Sequence, residues 1–259
     1  DEGGVDMGRS SDVGRRSMDI VPAELVCQGR AALLLLDVIQ ANPKCAECSA
    51  EPVTWLSTSL GVTLCEECAA AHRQLTWSVS KLKSLRLDDF SCWQLEMVLA
   101  CLGNEVGAGI WEISIPHGWS KPLPTDSTES KTQFILAKYQ WFAFVDEVRM
   151  RGDAQLAEGL AESSRTGEVP QCMWWISHVA DVNSVSDVAS GLTPLHYAVE
   201  HNRVHTVAFL LLNGSNIFAP DSNGQTPLDY TRVGTGEEAF GELKSLMEGM
   251  MQDIIRGDY

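Results

Sequence analysis

The sequence predicts two unlike halves: an α+β metal-binding module, a small sheet with surrounding helices, followed by an all-α stack of repeats. Three observations carry this. Cys45-x2-Cys48 and Cys65-x2-Cys68 stand sixteen residues apart. Two short β-prone runs, Val53–Leu56 and Val62–Leu64, flank Gly61 between the cysteine pairs. Further on, Thr193-Pro194-Leu195-His196 returns 33 residues later as Thr226-Pro227-Leu228-Asp229.

The cysteines come first because their spacing is the most specific signal. Each Cys-x2-Cys turns the backbone so that two thiolates face one centre, and the intervening loop brings the second pair round. Cys45, Cys48, Cys65 and Cys68 are therefore read as ligands of one tetrahedral Zn²⁺. Four thiolates leave no open position, so the zinc is structural. Cys27, Cys92, Cys101 and Cys172 have no framework spacing, which points to a reducing, cytoplasmic setting. The chain has 259 residues, 44 % of them hydrophobic, and a net charge of −16. That charge argues against nucleic acid or an anionic membrane as the main partner. There is no secretory signal, and Leu33–Leu36 is too short an apolar run to span a bilayer. The chain opens at Asp1, as a piece cut from a longer protein would.

The elements follow in order. Residues 1–22 are rich in Gly, Ser, Asp and Arg without hydrophobic period and read as a disordered tail. From Pro22 to Ile39 the residues Leu25, Val26, Ala32, Leu33, Leu36 and Ile39 recur at helical intervals. The two β-prone runs predict a small hairpin. Glu66–Leu75 predicts a helix beginning on the metal, and Lys83–Leu87 a further strand. Asp88-Asp89 are placed to cap a helix over Phe90–Leu102, which Gly103-Asn104 ends. Another helix includes Ile110-Trp111. Residues 114–130 read as a loop broken by Pro116, Gly118, Pro122 and Pro124, before a helix containing Phe134, Ile135, Lys138, Tyr139 and Phe142.

The repeated tetrapeptide and its period are those of ankyrin repeats. Tyr197–His201 and Val204–Leu212 predict the helix pair between the two signatures. Because such units cannot bury their faces singly, an irregular first unit is expected in about residues 144–181, with Gly152–Leu156 as its inter-helix turn. A truncated last unit runs from 224 to about 251. His196 is expected to tie neighbouring loops by a hydrogen bond. The pair Trp174-Trp175 is a candidate for the junction between the halves.

The run Trp55-Leu-Ser57-x3-Gly61, the second cysteine pair and His72-Arg73 resemble the zinc domain of Arf GTPase-activating proteins (ArfGAPs). Ser80–Asp88, Gly103-Asn104, Ile110-Trp111-Glu112, Lys121-Pro122 and Phe134-Ile-x2-Lys138-Tyr139 continue the likeness. It covers about residues 28–145, and ankyrin repeats behind it are the arrangement of the ankyrin-bearing subfamily. The expected layout is a tail over 1–22, an ArfGAP-like domain over 23–145 and ankyrin repeats over 146–259.

The resemblance implies a function. Members of the family stimulate GTP hydrolysis by Arf-type small GTPases, in vesicle traffic and actin regulation, through an arginine that aligns with Arg73. Such a guanidinium spreads positive charge over the γ-phosphate oxygens in the transition state. The chain would not itself be an enzyme; its partner would be an Arf in the GTP form, with a further protein partner on the ankyrin surface. Trp55 aligns with a tryptophan that matters for activity, either beside the arginine or packing the module. Lys81, Lys83 and Arg86 are GTPase-contact candidates, and His72 a candidate support of the metal site. Membrane recruitment is expected through the GTPase or through sequence outside this chain.

Departures from the family pattern bear on activity. Ala69-Ala70 stand in place of Ser-Gly, Thr76 in place of Gly, and Ala108 in place of Asn; Trp77 fills a usually smaller position, and Gln140–Phe144 replaces basic residues. A catalytically degenerate scaffold that binds partners without stimulating hydrolysis is therefore the alternative reading. A DNA-binding finger of the GATA kind shares the cysteine spacing, but Glu47, Glu51, Glu66 and Glu67 give the metal region the wrong charge for it.

Overall fold

The computed structural model describes residues 23–76, 78–145, 152–231 and 237–256. The expected tail over 1–22 and the comparison at Trp77 lie outside them. Helix α1 (Ala23–Ala41) leads into the cysteine segment. Strands β1 (Trp55–Ser57), β2 (Val62–Leu64) and β3 (Leu82–Ser84) form an antiparallel sheet of order β2-β1-β3. The register is Trp55 opposite Leu64 and Ser84, and Leu56 opposite Thr63 and Lys83. Gly61 closes the hairpin at φ +69°, with its Cα against Leu102: a Cβ there would meet that side chain at 2.6 Å. This is why the turn takes glycine.

Helix α2 (Glu66–His72) starts directly on Cys65 and packs on α5 (Thr128–Tyr139). Helix α3 (Cys92–Cys101) covers α1, and α4 (Asn104–Trp111) covers β2. Asn104 joins these pieces. Its side chain accepts from Thr63 N at 2.9 Å and donates to Lys44 O at 2.6 Å, while its amide donates to Asn42 Oδ1 at 2.8 Å. The Gly-Asn pair is therefore a brace between α1, the first cysteine loop and β2 rather than a stop signal alone.

Four boundaries differ from expectation. Ser91, not Asp88-Asp89, caps α3 through a reciprocal box with Gln94. Asp88 is spent earlier: it accepts from Ser84 N at 2.6 Å and turns the chain out of β3, which ends at Ser84 rather than Leu87. Ser127 accepts from Ser130 N at 3.2 Å and starts α5 inside the expected loop. Helix α2 stops at His72, short of Leu75.

The second half comprises helix pairs: α6 (Asp153–Thr166) with α7 (Val169–Ser177), α8 (Pro194–Glu200) with α9 (Val204–Leu212), and α10 (Pro227–Tyr230) with α11 (Glu237–Arg256). Gly152–Leu156 is not an inter-helix turn but the start of α6, with Gly152 at its N-cap. The turn between α6 and α7 lies at Gly167-Glu168, where Gly167 ends α6 in the left-handed conformation (φ 92°). Trp175 is buried and donates to Ser163 Oγ at 3.1 Å, so its first role is inside the repeat. Its neighbour Trp174 stacks on His178, ring centroids 3.8 Å apart. The helix that carries both packs on α4, and α9 packs on α3. These two contacts seat the stack directly against the zinc module.

His196 behaves as expected. Its Nδ1 accepts from Thr193 N at 3.1 Å, and its Nε2 faces Gln225 O of the next repeat at 3.2 Å. No helix among the described residues is long and apolar enough to cross a membrane.

Candidate functional site

The four Sγ atoms of Cys45, Cys48, Cys65 and Cys68 all lie within 4.8 Å of one another, buried, with Cys48 and Cys65 at 3.7 Å. Zn–S bonds near 2.3 Å imply a tetrahedral edge of about 3.8 Å, so the set fits Zn²⁺. The protonation of the thiols fits as well. Hydrogen bonds from Cys45 and Cys68 hold the Cys65 thiol down to about 2. The shared proton with Cys65 pushes Cys45 up to about 12, and Cys68 is raised further by the same cluster. Thiols packed this closely hold protons against full ionisation, as the raised Cys45 and Cys68 show. A dication takes the place of those protons and makes all four thiolates. Zinc then ties the first cysteine loop, where Cys45 N donates to Ala50 O and Ala46 N to Thr63 O, to the N-terminus of α2.

Behind the zinc site lies a buried charge network that sequence reasoning missed. Glu47 sits between the first two cysteines, fully buried. Lys138 Nζ reaches its two oxygens at 3.1 and 3.0 Å, and Tyr139 Oη donates to it at 2.8 Å. Lys138 also donates to Glu112 at 2.7 Å, which Lys121 reaches from outside at 3.0 Å. Burial alone would raise the Glu47 carboxyl; Lys138 and His72 outweigh it and hold it well below the ordinary range. Burial likewise works against the Lys138 ammonium, and Glu47 and Glu112 carry its pKa well above normal. The segments Trp111-Glu112, Lys121-Pro122 and Lys138-Tyr139, which carried the family resemblance without a visible role, are joined in this network. Glu67 is also engaged, in an ion pair with the buried Lys131. Three of the four acidic residues counted against a DNA-binding finger therefore pair with lysines, Glu47 with Lys138, Glu67 with Lys131 and Glu51 with Lys44 at 3.8 Å.

His72 is completely buried at the end of α2. Its Nδ1 lies 2.9 Å from Ser80 Oγ, which in turn meets Ser57 Oγ at 3.0 Å. Its Nε2 faces Glu47 at 3.6 Å, beyond hydrogen-bond range. Next to it the chain turns outward, and Arg73, the C-cap of α2, is exposed. The Arg73 guanidinium lies 4.5 Å from the centroid of the Trp55 ring. Among the described residues no carboxylate pairs with it and no acceptor takes its side-chain protons. Ala69 and Ala70 are ordinary residues of α2, and Ala69 O accepts from Arg73 N at 3.2 Å.

The structure thus brings Trp55 and Arg73 together. It does not group the basic candidates with them. Register places Lys83 opposite Leu56, on the other face of the sheet from Trp55. There its ammonium donates to Asp89 O at 3.0 Å. Lys81 is half-buried, and desolvation lowers its pKa; its backbone N–H donates to Ser59 Oγ at 3.0 Å. Arg86 is exposed in the turn after β3.

Comparison with known proteins agrees with this geometry. Residues 31–148 match the family described as putative GTPase activating protein for Arf, and residues 160–233 match ankyrin repeats in three copies. The chain is an ArfGap domain followed by ankyrin repeats and belongs to the ankyrin-bearing ArfGAP family. Among similar curated proteins is ARF GTPase-activating protein GIT1 of Homo sapiens, 36 % identical over 200 residues, covering 73 % of this chain and 26 % of that protein. ARF GTPase-activating protein GIT2 of Homo sapiens is 32 % identical over 217 residues, covering 79 % of this chain and 28 % of the relative. The chain therefore spans about a quarter of the length of these relatives. A solved structure, the ArfGap domain of HIV-1 Rev binding protein, aligns with TM-score 0.42 and 21 % identity over 48 % of this chain and 93 % of that one.

Proposed function

We propose that this chain stimulates GTP hydrolysis by an Arf-family small GTPase, with Arg73 entering the nucleotide site of the GTPase in trans. The observation that carries the reading is the condition of the Arg73 guanidinium: exposed, resting on Trp55, and committed to no acceptor among the described residues. Phosphoryl transfer from GTP passes through a loose transition state whose charge spreads over the phosphoryl oxygens. A guanidinium offers a planar fork of donors to those oxygens and stays charged at every physiological pH. Water and nucleotide belong to the GTPase, so this chain needs no nucleophile or general base. Its contribution is position, and that rests on α2, held at one end by Cys65 and Cys68 and at the other by buried His72. Arginines supplied in this way typically contribute on the order of 10³–10⁵ in rate.

The ankyrin stack serves as a further protein-binding surface in this reading, and the protein works in the cytoplasm, reaching membranes through its GTPase. Single-turnover hydrolysis on GTP-loaded Arf proteins tests the proposal, with wild type beside Arg73→Ala and Arg73→Lys. Stimulation that collapses in both variants at unchanged zinc content is the expected result. A folded, zinc-loaded wild type inert on every Arf would leave the scaffold reading in its place.

A further inference from the structure

Glu66 opens α2 and Arg73 closes it, seven residues on. Seven residues are nearly two full turns, so both side chains leave the same side of the helix. Trp55 lies along that side and touches both. Its indole Nε1 donates to Glu66 Oε2 at 2.7 Å, and its ring carries the Arg73 guanidinium at 4.5 Å. Thr54 Oγ1 approaches the same carboxylate oxygen at 3.5 Å.

We propose that Glu66 is a positioning residue for the arginine: its carboxylate fixes the rotation of the Trp55 ring, and the fixed ring holds the guanidinium in the pose a GTPase receives. This rests on the reading of Arg73 given above. A half-exposed indole turns about a broad side-chain torsion unless its N–H is held. An arginine on a moving platform samples many rotamers, and ordering it at the moment of encounter costs rate. The arrangement also avoids a competing contact. Among the described residues Glu66 and Arg73 form no ion pair, so the carboxylate orients the ring without occupying the guanidinium. A Glu66 that merely joined β1 to α2 would change stability and leave the maximal rate alone.

The test is single-turnover hydrolysis at saturating and limiting concentrations of the full chain, in Glu66→Ala, Glu66→Gln, Trp55→Phe, the pair Glu66→Ala/Trp55→Phe, and Arg73→Ala. Glu66→Ala is expected to lower the maximal rate about three- to tenfold with little change in half-saturation. Glu66→Gln keeps the wild-type rate, because an amide oxygen still accepts from the indole. Trp55→Phe matches Glu66→Ala, and the pair is no worse than Trp55→Phe alone. A wild-type rate in Glu66→Ala, beside an inactive Arg73→Ala, overturns the positioning role. An unaffected Arg73→Ala, or a wild type that stimulates no GTPase, overturns the reading of Arg73 instead. NMR then decides the clamp separately. Glu66→Ala, but not Glu66→Gln, is expected to lower the Arg73 Nε–H order parameter and speed exchange of the Trp55 indole proton; unchanged values overturn the proposal.

Discussion

Lys138 Nζ and the Glu47 carboxylate meet at 3.0 Å where neither side chain is reached by solvent, 91 residues apart in sequence. The pair fastens the last helix of the zinc module to the loop carrying its first two metal ligands. Removing one partner of such a pair leaves a buried charge uncompensated, at a cost of about 3–5 kcal/mol. Lys138→Met is therefore expected to lose most of that in urea unfolding. The double variant Glu47→Gln/Lys138→Met should recover part of the loss, because neither remaining group is charged. A single variant as stable as wild type would show that the buried Glu47 carboxyl needs no lysine and that the pair adds no net stability.

Zinc binding is folding free energy for the segments it joins. A chelator added to the full chain is expected to expose the amides of Val62–Leu64 and Glu66–His72 to hydrogen exchange and to abolish stimulation together. Cys68→Ser, at a ligand position with no solvent exposure, should reproduce both effects without chelator. Protection of α2 that survives metal removal would show that the packing on α5 suffices to order it.

His196 makes the repeat stack sensitive to acid. Burial holds its pKa below the ordinary 6.5, against the Gln225 carbonyl, Asp221 and Glu200, which favour the charged ring. On acidification the unfolded chain takes up its proton first. The contribution is complete above about pH 6.5 and is lost as pH falls from there toward the folded value. Urea midpoints at about pH 7.5 and 5.5 should therefore diverge more in wild type than in His196→Asn. The zinc thiols titrate in both proteins, so the difference isolates the histidine.

Gly159 faces the six-membered part of the Trp175 indole. A Cβ at this position would stand 2.2 Å from that ring. Gly→Ala in a helix ordinarily stabilises by about 0.5–1 kcal/mol. Here the sign is expected to reverse, with Gly159→Ala costing about 1–3 kcal/mol as the buried ring is displaced from Ser163. Thermal unfolding followed by tryptophan fluorescence checks both the loss and its location.

How much of this was readable in the sequence depended on the range of the interaction. The zinc ligands declared themselves because two short spacings fix the geometry of four thiolates. The repeats did so because their signature recurs at a fixed period. Glu47 did not: as one acidic residue among four it read as surface charge, and its partners Lys138 and Tyr139 lie in another helix far along the chain. Ser91 lost out to Asp88-Asp89 because both are good caps, and only the β3 turn, which uses Asp88, decides between them. Lys83 joined the basic candidates through its neighbours in sequence, whereas strand alternation sends it to the opposite face from Trp55. Gly152 mimicked a turn because glycine also serves at helix N-caps.

Asn213, at the end of α9, donates to Ser59 O of the zinc module at 3.2 Å. Ser59 Oγ in turn donates to Val79 O at 2.9 Å and accepts from Lys81 N at 3.0 Å, on either side of the Ser80 that meets His72. The repeats therefore splint the loop that follows the arginine. Trimming them away removes the Asn213 contact to this loop as well as shortening the chain. On the proposed reading of Arg73, a rate measured on such a fragment would report an arginine without that splint.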